Sequence, residues 1–139
     1  MAKIEEIMKF EKSTDIALLI LRLVFGLAMV YGHGWGKFMR FFGEDPLRFG
    51  DPIGIGPVPS LVLVTLAEFL CALLLAFGLF TRWSLIPLII AMAVAAFVAH
   101  GGDPFPKMEK ALLYLAVYVA LFFTGPGWYS LDRMLFKKT

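Results

Sequence analysis

Four long apolar stretches, each with at most two charged or histidine side chains, constrain this sequence more than any other feature. They cover residues 16–35, 60–80, 85–100 and 108–124. A helix needs about 20 apolar residues to cross the roughly 30 Å hydrocarbon core of a bilayer, so four crossings use about 80 residues. The chain has 139 residues, of which 60% are hydrophobic and 17% are charged. Four such helices in water would lack the polar faces that a soluble bundle needs.

The sequence therefore predicts an all-α fold, a transmembrane four-helix bundle that forms one integral membrane domain over residues 1–139. Short interfacial helices are expected at both termini. Ile4, Ile7 and Met8 share one helical face before the first stretch, and Ser130 is placed to cap a short helix that ends at Phe136. The first fifteen residues mix acids with lysines and lack a small-residue cleavage motif, so the first stretch is expected to be retained.

Charge and cysteine content exclude several classes of protein. The formal net charge is +2, and no long basic run is present, so no nucleic-acid partner is predicted. The single cysteine, Cys71, cannot form an internal disulfide or a CxxC pair. This excludes the four-helix disulfide oxidoreductases that pass electrons to quinone, because their chemistry requires cysteine pairs.

The distribution of lysine and arginine predicts the orientation in the membrane. With four spans, both termini lie on one side. That side holds Lys3, Lys9, Lys12, Arg22, Arg82, Arg133, Lys137 and Lys138, and the opposite side holds Lys37, Arg40, Arg48, Lys107 and Lys110. Because positive residues accumulate in cytoplasmic loops, the larger group predicts cytoplasmic termini.

Charged side chains inside the apolar stretches are candidate functional residues, because each is costly in a bilayer unless it is paired or hydrated. In the first stretch, steps of four, three, four and four residues place five positions on one helical face. They are Arg22, Gly26, Met29, His33 and Lys37. This face is predicted to look into the bundle. The alternative is that Arg22 and Lys37 extend toward opposite membrane surfaces.

Glu68, a carboxylate nine residues into the second stretch, is the strongest single indication of a site. The first and third stretches end in the outer half of the bundle and the fourth begins there, so the topology gathers other polar residues near it. We predict Glu68, His33 and His100 as catalytic residues. The predicted ligand-binding residues are Arg22, Lys37, Glu109, Tyr114 and Tyr118. The alternative is a buried carboxylate that only ties helices together.

The residue types suit more than one ligand. Histidine and tyrosine as hydrogen-bond donors, with Glu68 as a proton acceptor, favour a quinone head group. Two histidines and two carboxylates also suit zinc or iron, but their spacing is not diagnostic, and no metal site is assigned. A haem between His33 and His100 fits less well, since both lie near helix ends. Ion pairing between helices, for instance Lys37 with Glu109, requires no ligand. The cofactor is therefore left open, with quinone favoured over metal or haem.

A set of residues across all four stretches carries a family resemblance. The set consists of Arg22, Gly26, His33, Gly34, Lys37, Glu68, residues 78–82, His100, Glu109, residues 125–127 and residues 130–132. In this order and spacing it resembles the DoxX family of small four-helix bacterial membrane proteins. The resemblance implies a bacterial inner membrane and a link to redox physiology, with thiosulfate and quinone oxidoreduction in some members and oxidative or thiol stress in others.

Three functional hypotheses follow from the residues and the resemblance. The first is a quinone-interacting, redox-associated subunit, the membrane part of a quinone-linked oxidoreductase that takes its electrons from a partner or a bound cofactor. The second is a non-catalytic scaffold that docks soluble oxidative-stress or sulfur-metabolism enzymes through Arg82 and residues 128–138. The third is a small proton-coupled transporter that uses Arg22 and Glu68 and works as a homo-oligomer. The lipid bilayer is a partner in all three.

Overall fold

The computed structural model describes residues 1–43 and 50–136, and every regular element in these two ranges is a helix. Four long helices are followed by one short helix. They are α1 (Ala2–Arg40), α2 (Pro57–Phe77), α3 (Thr81–Ala99), α4 (Phe105–Thr124) and α5 (Leu131–Phe136). The predicted all-α class is confirmed for these ranges. Arg48, Lys137 and Lys138, which entered the charge count, lie outside the described residues.

Three of these helices, α1, α2 and α3, are long and apolar enough to cross a membrane. The fourth, α4, has 20 residues, but Lys107, Glu109 and Lys110 all lie within its first six positions. The only long part of α4 that is free of charged side chains is residues 111–124, which is shorter than the roughly 20 apolar residues that a crossing requires. The chain is therefore a helical membrane protein with three candidate spans, and the fourth span remains a prediction.

Helix α1 extends further toward the N-terminus than the predicted span. Its 39 residues correspond to about 58 Å at 1.5 Å per residue, nearly twice the hydrocarbon thickness. No glycine or proline occurs between Ala2 and Phe25 to interrupt it. The expected interfacial helix at the N-terminus is therefore the first part of α1, and residues 1–14 are exposed. At the other terminus, α5 is a separate short helix, as predicted.

Helices α1 and α2 pack closely because small residues face each other. A Cβ atom on Gly26 would lie 3.0 Å from the carbonyl oxygen of Ala72 and 2.9 Å from the Cβ of Ala76. Arg22 and Met29, one turn to either side of Gly26, are buried as well. The predicted inward-facing stripe of α1 is therefore confirmed. Helix α3 packs against α4 across the rest of the core, where Leu85 is buried.

The end of the bundle that contains the α2–α3 turn is held together by hydrogen bonds between side chains and backbone. Arg22 is fully buried and donates to the carbonyl oxygens of Ala76 and Tyr129. Asp132 accepts from the backbone N–H groups of Phe80 and Thr81, at 2.6 and 2.9 Å. This interaction lets α3 begin at Thr81, four residues before the predicted start. We call this region the closed end.

The connection before α2 is shaped by Asp51. Its carboxylate oxygens accept hydrogen bonds from the backbone N–H groups of Ile55 and Gly56 and from the Ser60 hydroxyl, each at 2.9 Å. Desolvation raises the pKa of Asp51, but the hydrogen bonds from Gly56, Ser60, Ile55 and Gly54 together lower this pKa below its ordinary value. Asp51 thus fixes the loop to the first turn of α2.

Candidate functional site

A cavity of about 390 Å³ opens between the four long helices, at the end where α3 stops and α4 begins. We call this region the cavity end. The polar residues of its wall are His33, Lys37, Glu68, His100, Lys107, Lys110 and Tyr114. The other wall residues are Met29, Met92, Ala95, Pro106 and Ala111. The cavity therefore combines a polar wall with an apolar one, as small-molecule sites commonly do.

A π-helical turn interrupts each of the three helices α1, α2 and α3 beside this cavity. These turns span Val30–Gly34, Leu66–Cys71 and Ala95–Ala99. The first contains His33, the second contains Glu68, and the third ends immediately before His100. A π-helical turn adds a residue to the helical repeat and rotates the following side chains, and such turns are frequent at functional sites. They are thus part of what directs these side chains to the cavity.

Glu68 and Lys37 form an ion pair across the α1–α2 contact. The Glu68 side chain is 6% exposed and that of Lys37 is 22% exposed. A Cβ atom on Gly34 would overlap the backbone carbonyl of Glu68, so the absence of a side chain at Gly34 lets the two helices approach here. Only the Oε2 atom of Glu68 bonds to Lys37. Within the described residues, Oε1 has no hydrogen-bond donor, so it is available to a ligand in the cavity.

His33 and Tyr114 meet edge to face on the wall of the cavity, with ring centroids 6.1 Å apart. Tyr114 also packs edge to face on Phe25, at 5.3 Å. Aromatic contacts of this kind fix ring orientation without using the polar atoms. The imidazole nitrogens of His33 and the hydroxyl of Tyr114 make no hydrogen bond to the described part of the protein. Both side chains therefore offer polar atoms to a ligand.

His100 lies at the mouth of the cavity and is half-exposed. Its Nδ1 atom is 3.1 Å from the Oδ2 atom of Asp103, three residues later. This contact uses one ring nitrogen and leaves Nε2 for the cavity side or the solvent, and the ring's tautomer decides which nitrogen donates and which accepts. Lys107 and Lys110 follow on the first turns of α4 and complete the rim.

The structure brings together five of the eight predicted site residues and places three elsewhere. Those on the cavity wall are His33, Lys37, Glu68, His100 and Tyr114. Arg22 lies at the closed end, bound to backbone carbonyls. Glu109 is exposed and does not line the cavity. Tyr118 is buried in the core, where its hydroxyl donates to the carbonyl oxygen of Phe25 at 3.0 Å.

Among the polar contacts, the partner of Lys37 is the main difference between the sequence-based expectation and the structure. Lys37 was expected to pair with Glu109 if the charges only tied helices together, but it pairs with Glu68. Glu109 does not line the cavity, whereas Glu68 meets Lys37 across the α1–α2 contact. Among the described residues, no three histidine, cysteine, aspartate or glutamate side chains are close enough to hold a metal ion.

Seven wall residues were not among the predicted site residues: Met29, Met92, Ala95, Pro106, Lys107, Lys110 and Ala111. A signal for the two lysines was present in the sequence. Lys107, Lys110, Ala111 and Tyr114 have the i, i+3, i+4, i+7 spacing of one helical face. Glu109 falls outside that series. Since Tyr114 was already a candidate, the same face would have selected the two lysines over Glu109.

Comparison with known proteins identifies the family. The chain is 33% identical over 135 residues to an uncharacterized protein of Haemophilus influenzae, covering 92% of this chain and 97% of that one. It is 29% identical over 134 residues to the inner membrane protein YqjF of Escherichia coli, covering 92% and 98%. It is 31% identical over 137 residues to the uncharacterized membrane protein Rv3486 of Mycobacterium tuberculosis, covering 88% and 83%.

No solved structure matches the chain significantly. The model of the DoxX family matches residues 17–101, which include α1 from residue 17 onward, all of α2 and α3, and the π-helical turns beside the cavity. The resemblance to this family, which the order and spacing of residues across the stretches indicated, is thereby confirmed. This chain is a member of the DoxX family.

Proposed function

We propose that the cavity binds the head group of a membrane quinone and that the protein is a redox-associated subunit of the bacterial inner membrane. The observation that carries the proposal is the cavity itself, where the Glu68–Lys37 ion pair, His33 and Tyr114 share a wall with Met29. Quinone head groups are flat, mostly apolar rings with two carbonyl oxygens. They require hydrogen-bond donors above an apolar surface, which is the composition of this wall.

The size and position of the cavity support this ligand class. A volume of about 390 Å³ is near the lower end of the range of roughly 300 to 1,000 Å³ that is typical of small-molecule sites. It therefore suits a single ring better than an extended cofactor. Met29 and Met92 line its apolar part, and methionine side chains adapt well to flat ligands.

The chain's own residues account for binding and proton exchange. Tyr114 and Lys37 donate hydrogen bonds to carbonyl oxygens of the ligand, and Glu68 and His33 exchange protons with them. When bound, a quinone supplies two-electron chemistry, in which two electrons and two protons convert it to the quinol. The electrons come from a partner redox protein or from a bound cofactor, because the single cysteine cannot form a dithiol.

A pair of matched substitutions tests the proposal. Purified protein in detergent is titrated with a short-chain quinone, and binding is followed by calorimetry. Glu68→Gln removes the charge that holds Lys37 on the cavity wall, so we expect affinity to fall about tenfold, equivalent to about 1.4 kcal/mol. Glu109→Gln makes the same chemical change outside the cavity and should leave affinity unchanged.

The outcome separates a ligand site from a structural ion pair. Binding that is weakened by Glu68→Gln but not by Glu109→Gln supports the proposal. If the native protein binds no quinone, or if both variants bind it equally well, Glu68 and Lys37 serve only to join α1 to α2. A His33→Ala variant provides a second reading, because it alters the cavity wall without breaking the ion pair.

We also propose that α4 spans the membrane, which gives four spans with both termini in the cytoplasm. The charges at its start then lie at the outer membrane surface, where lysines are tolerated. Support for the inner membrane comes from the relative of that description in Escherichia coli. Reporter fusions at the C-terminus, active only in the cytoplasm or only outside it, test this topology. A reporter active outside would contradict it.

The structure gives less support to the two other hypotheses. A transport path that uses Arg22 and Glu68 is disfavoured, because Arg22 bonds to Ala76, about 12 Å from Glu68 along α2. Docking of soluble enzymes through Arg82 is disfavoured as well, because its guanidinium group is already bonded within the protein. The guanidinium group of Arg82 donates to the carbonyl oxygen of Phe122 at 3.0 Å.

A further inference from the structure

The wall of the cavity carries more basic than acidic side chains, with Lys37, Lys107 and Lys110 against Glu68. Lys37 is paired with Glu68, and Asp103 is in contact with His100. Within the described residues, no carboxylate lies within ion-pair distance of Lys107 or Lys110. Both lysines nevertheless line the cavity. Two positive charges at its rim therefore have no acidic partner from the described parts of the protein.

The arrangement of charge on α4 directs this excess toward the cavity. Lys107 and Lys110 occupy the same helical face as Ala111 and Tyr114, which also line the cavity. The acid in this segment, Glu109, lies outside that face. All three side chains are exposed, but only the two lysines line the cavity, so the charges of α4 are unevenly distributed around the helix. An anion at the rim would meet two lysines and no nearby free carboxylate on α4.

We propose that the rim formed by Lys107 and Lys110 binds the oxyanion of a phosphate group, while the apolar part of the ligand lies against the cavity wall at Met92 and Ala95. The lysines act as point charges that attract phosphate, and basic pockets between membrane helices bind the head groups of anionic lipids. The inference uses the cavity of the proposed function but does not depend on quinone as its ligand. It adds a second ligand class to the same cavity.

The phosphate group has two sources, a phospholipid of the bilayer or a soluble phosphate compound. The lipid arm uses full-length protein in nanodiscs that contain phosphatidylglycerol and phosphatidylcholine in equal amounts. Native mass spectrometry of the released protein measures the ratio of the two lipids that stay bound. The soluble arm uses nanodiscs of phosphatidylcholine alone and compares Tm in phosphate and in chloride at equal ionic strength.

Three variants isolate the rim. The double variant Lys107→Gln/Lys110→Gln removes its charge, and Lys107→Arg/Lys110→Arg keeps the charge. The control Lys3→Gln/Lys9→Gln also removes two positive charges, but from the exposed N-terminal part of α1. In the lipid arm, we expect the bound ratio to fall about fivefold for each rim lysine removed, and the arginine variant and the control to behave as the native chain.

Each outcome has a defined meaning. A preference for phosphatidylglycerol that is lost only in the rim glutamine variant identifies a lipid phosphate. No lipid preference, together with a rise in Tm by phosphate that the same variant abolishes, identifies a soluble phosphate compound. Equal lipid retention and equal Tm shifts in all four proteins overturn the inference. Quinone titration of the rim glutamine variant is measured separately from phosphate binding, so the two proposals can fail independently. If quinone binding fails while the phosphate effect remains, only the quinone proposal is contradicted.

Discussion

The two ends of the bundle both bury a charged side chain, but they neutralise it in different ways. At the closed end, Arg22 is 0% exposed and bonds to the backbone carbonyls of Ala76 and Tyr129. At the cavity end, Glu68 is 5% exposed but bonds to Lys37, which lines an open cavity. A charge that is surrounded by backbone carbonyls ties segments together, whereas a charge beside open volume can meet a ligand.

Backbone regularity differs between the two ends as well. The closed end has a compact turn in which Gly78 adopts a positive φ of 69°, and a Cβ atom there would overlap the guanidinium group of Arg22. The cavity end has instead the three π-helical turns, one in each of α1, α2 and α3. Tight turns and backbone bonds favour a rigid closed end. Widened helical turns at the other end leave side chains beside space that they do not fill.

The largest effect on stability is expected at the closed end, from Arg22→Met. The substitution keeps a long side chain but removes the charged donor from a buried carbonyl oxygen, that of Ala76, and from a partly buried one, that of Tyr129. At about 1.5 kcal/mol for each hydrogen bond to a charged group, the free energy of unfolding should fall by about 3 kcal/mol. Thermal unfolding of the purified protein measures this loss. Lys9→Met, on the exposed part of α1, serves as the control, and equal Tm values for the two variants would contradict the comparison.

A smaller effect is expected from Gly34→Ala, at the contact between α1 and α2. The new Cβ atom overlaps the backbone of Glu68, so the helices must separate. Overpacking of this kind costs about 1 to 3 kcal/mol. Gly32→Ala, two residues away, is the matched control because its Cβ atom meets nothing within 4 Å. Both variants are compared by thermal unfolding, and we expect only Gly34→Ala to lower Tm.

Glu68→Gln tests whether the charge at the cavity end matters less to stability than the charge at the closed end. Lys37 loses its partner but remains 22% exposed beside the cavity, so it can turn toward water. We therefore expect a loss of about 1 kcal/mol in the free energy of unfolding, measured under the conditions used for Arg22→Met. A loss as large as that of Arg22→Met would show that the buried charges at both ends contribute equally to stability.

The smallest effect is expected from Asp51→Asn, in the loop that leads to α2. Because hydrogen bonds hold the pKa of Asp51 below its ordinary value, its contribution to stability is present above the unfolded-state pKa of about 3.9. That contribution is lost as the pH falls through the lower folded-state pKa. Hydrogen exchange at the Ile55 and Gly56 amides should be faster in the variant at neutral pH. After correction for intrinsic rates, native and variant chains should converge in acid, and a constant difference would contradict the assignment.

The residues of α1 illustrate what sequence reasoning captured. The spacing of Arg22, Gly26 and Met29 was sufficient to predict a buried stripe, because helical periodicity is a local property. The same spacing could not predict that Arg22 lies at the closed end, whereas His33 and Lys37, on the same stripe, line the cavity. Their partners belong to other helices, and the distance along α1 carries no information about which partner each one meets.

The residues of α4 show the converse. Tyr114 and Glu109 were candidates, whereas Lys107 and Lys110, which line the cavity, were not. Glu109 was chosen as a ligand-binding residue because it opens the fourth stretch at the outer end of the bundle, and the two lysines entered only the charge count for orientation. Helical geometry favours the lysines, because they share the face of Tyr114. Tyr118 lies on that side too, but one turn deeper, where its hydroxyl bonds to the backbone of Phe25.

The sequence by itself determined that this chain is helical, that it belongs in a membrane and that it is a DoxX protein. These properties follow from the length and apolar content of its stretches and from the order of its polar residues, all of which are local or linear. The tertiary structure alone decided which charges meet. The pairing of Lys37 with Glu68 depends on how α1 and α2 are rotated against each other. That rotation is set by Gly34 and by π-helical turns, whose effect appears only when the helices pack.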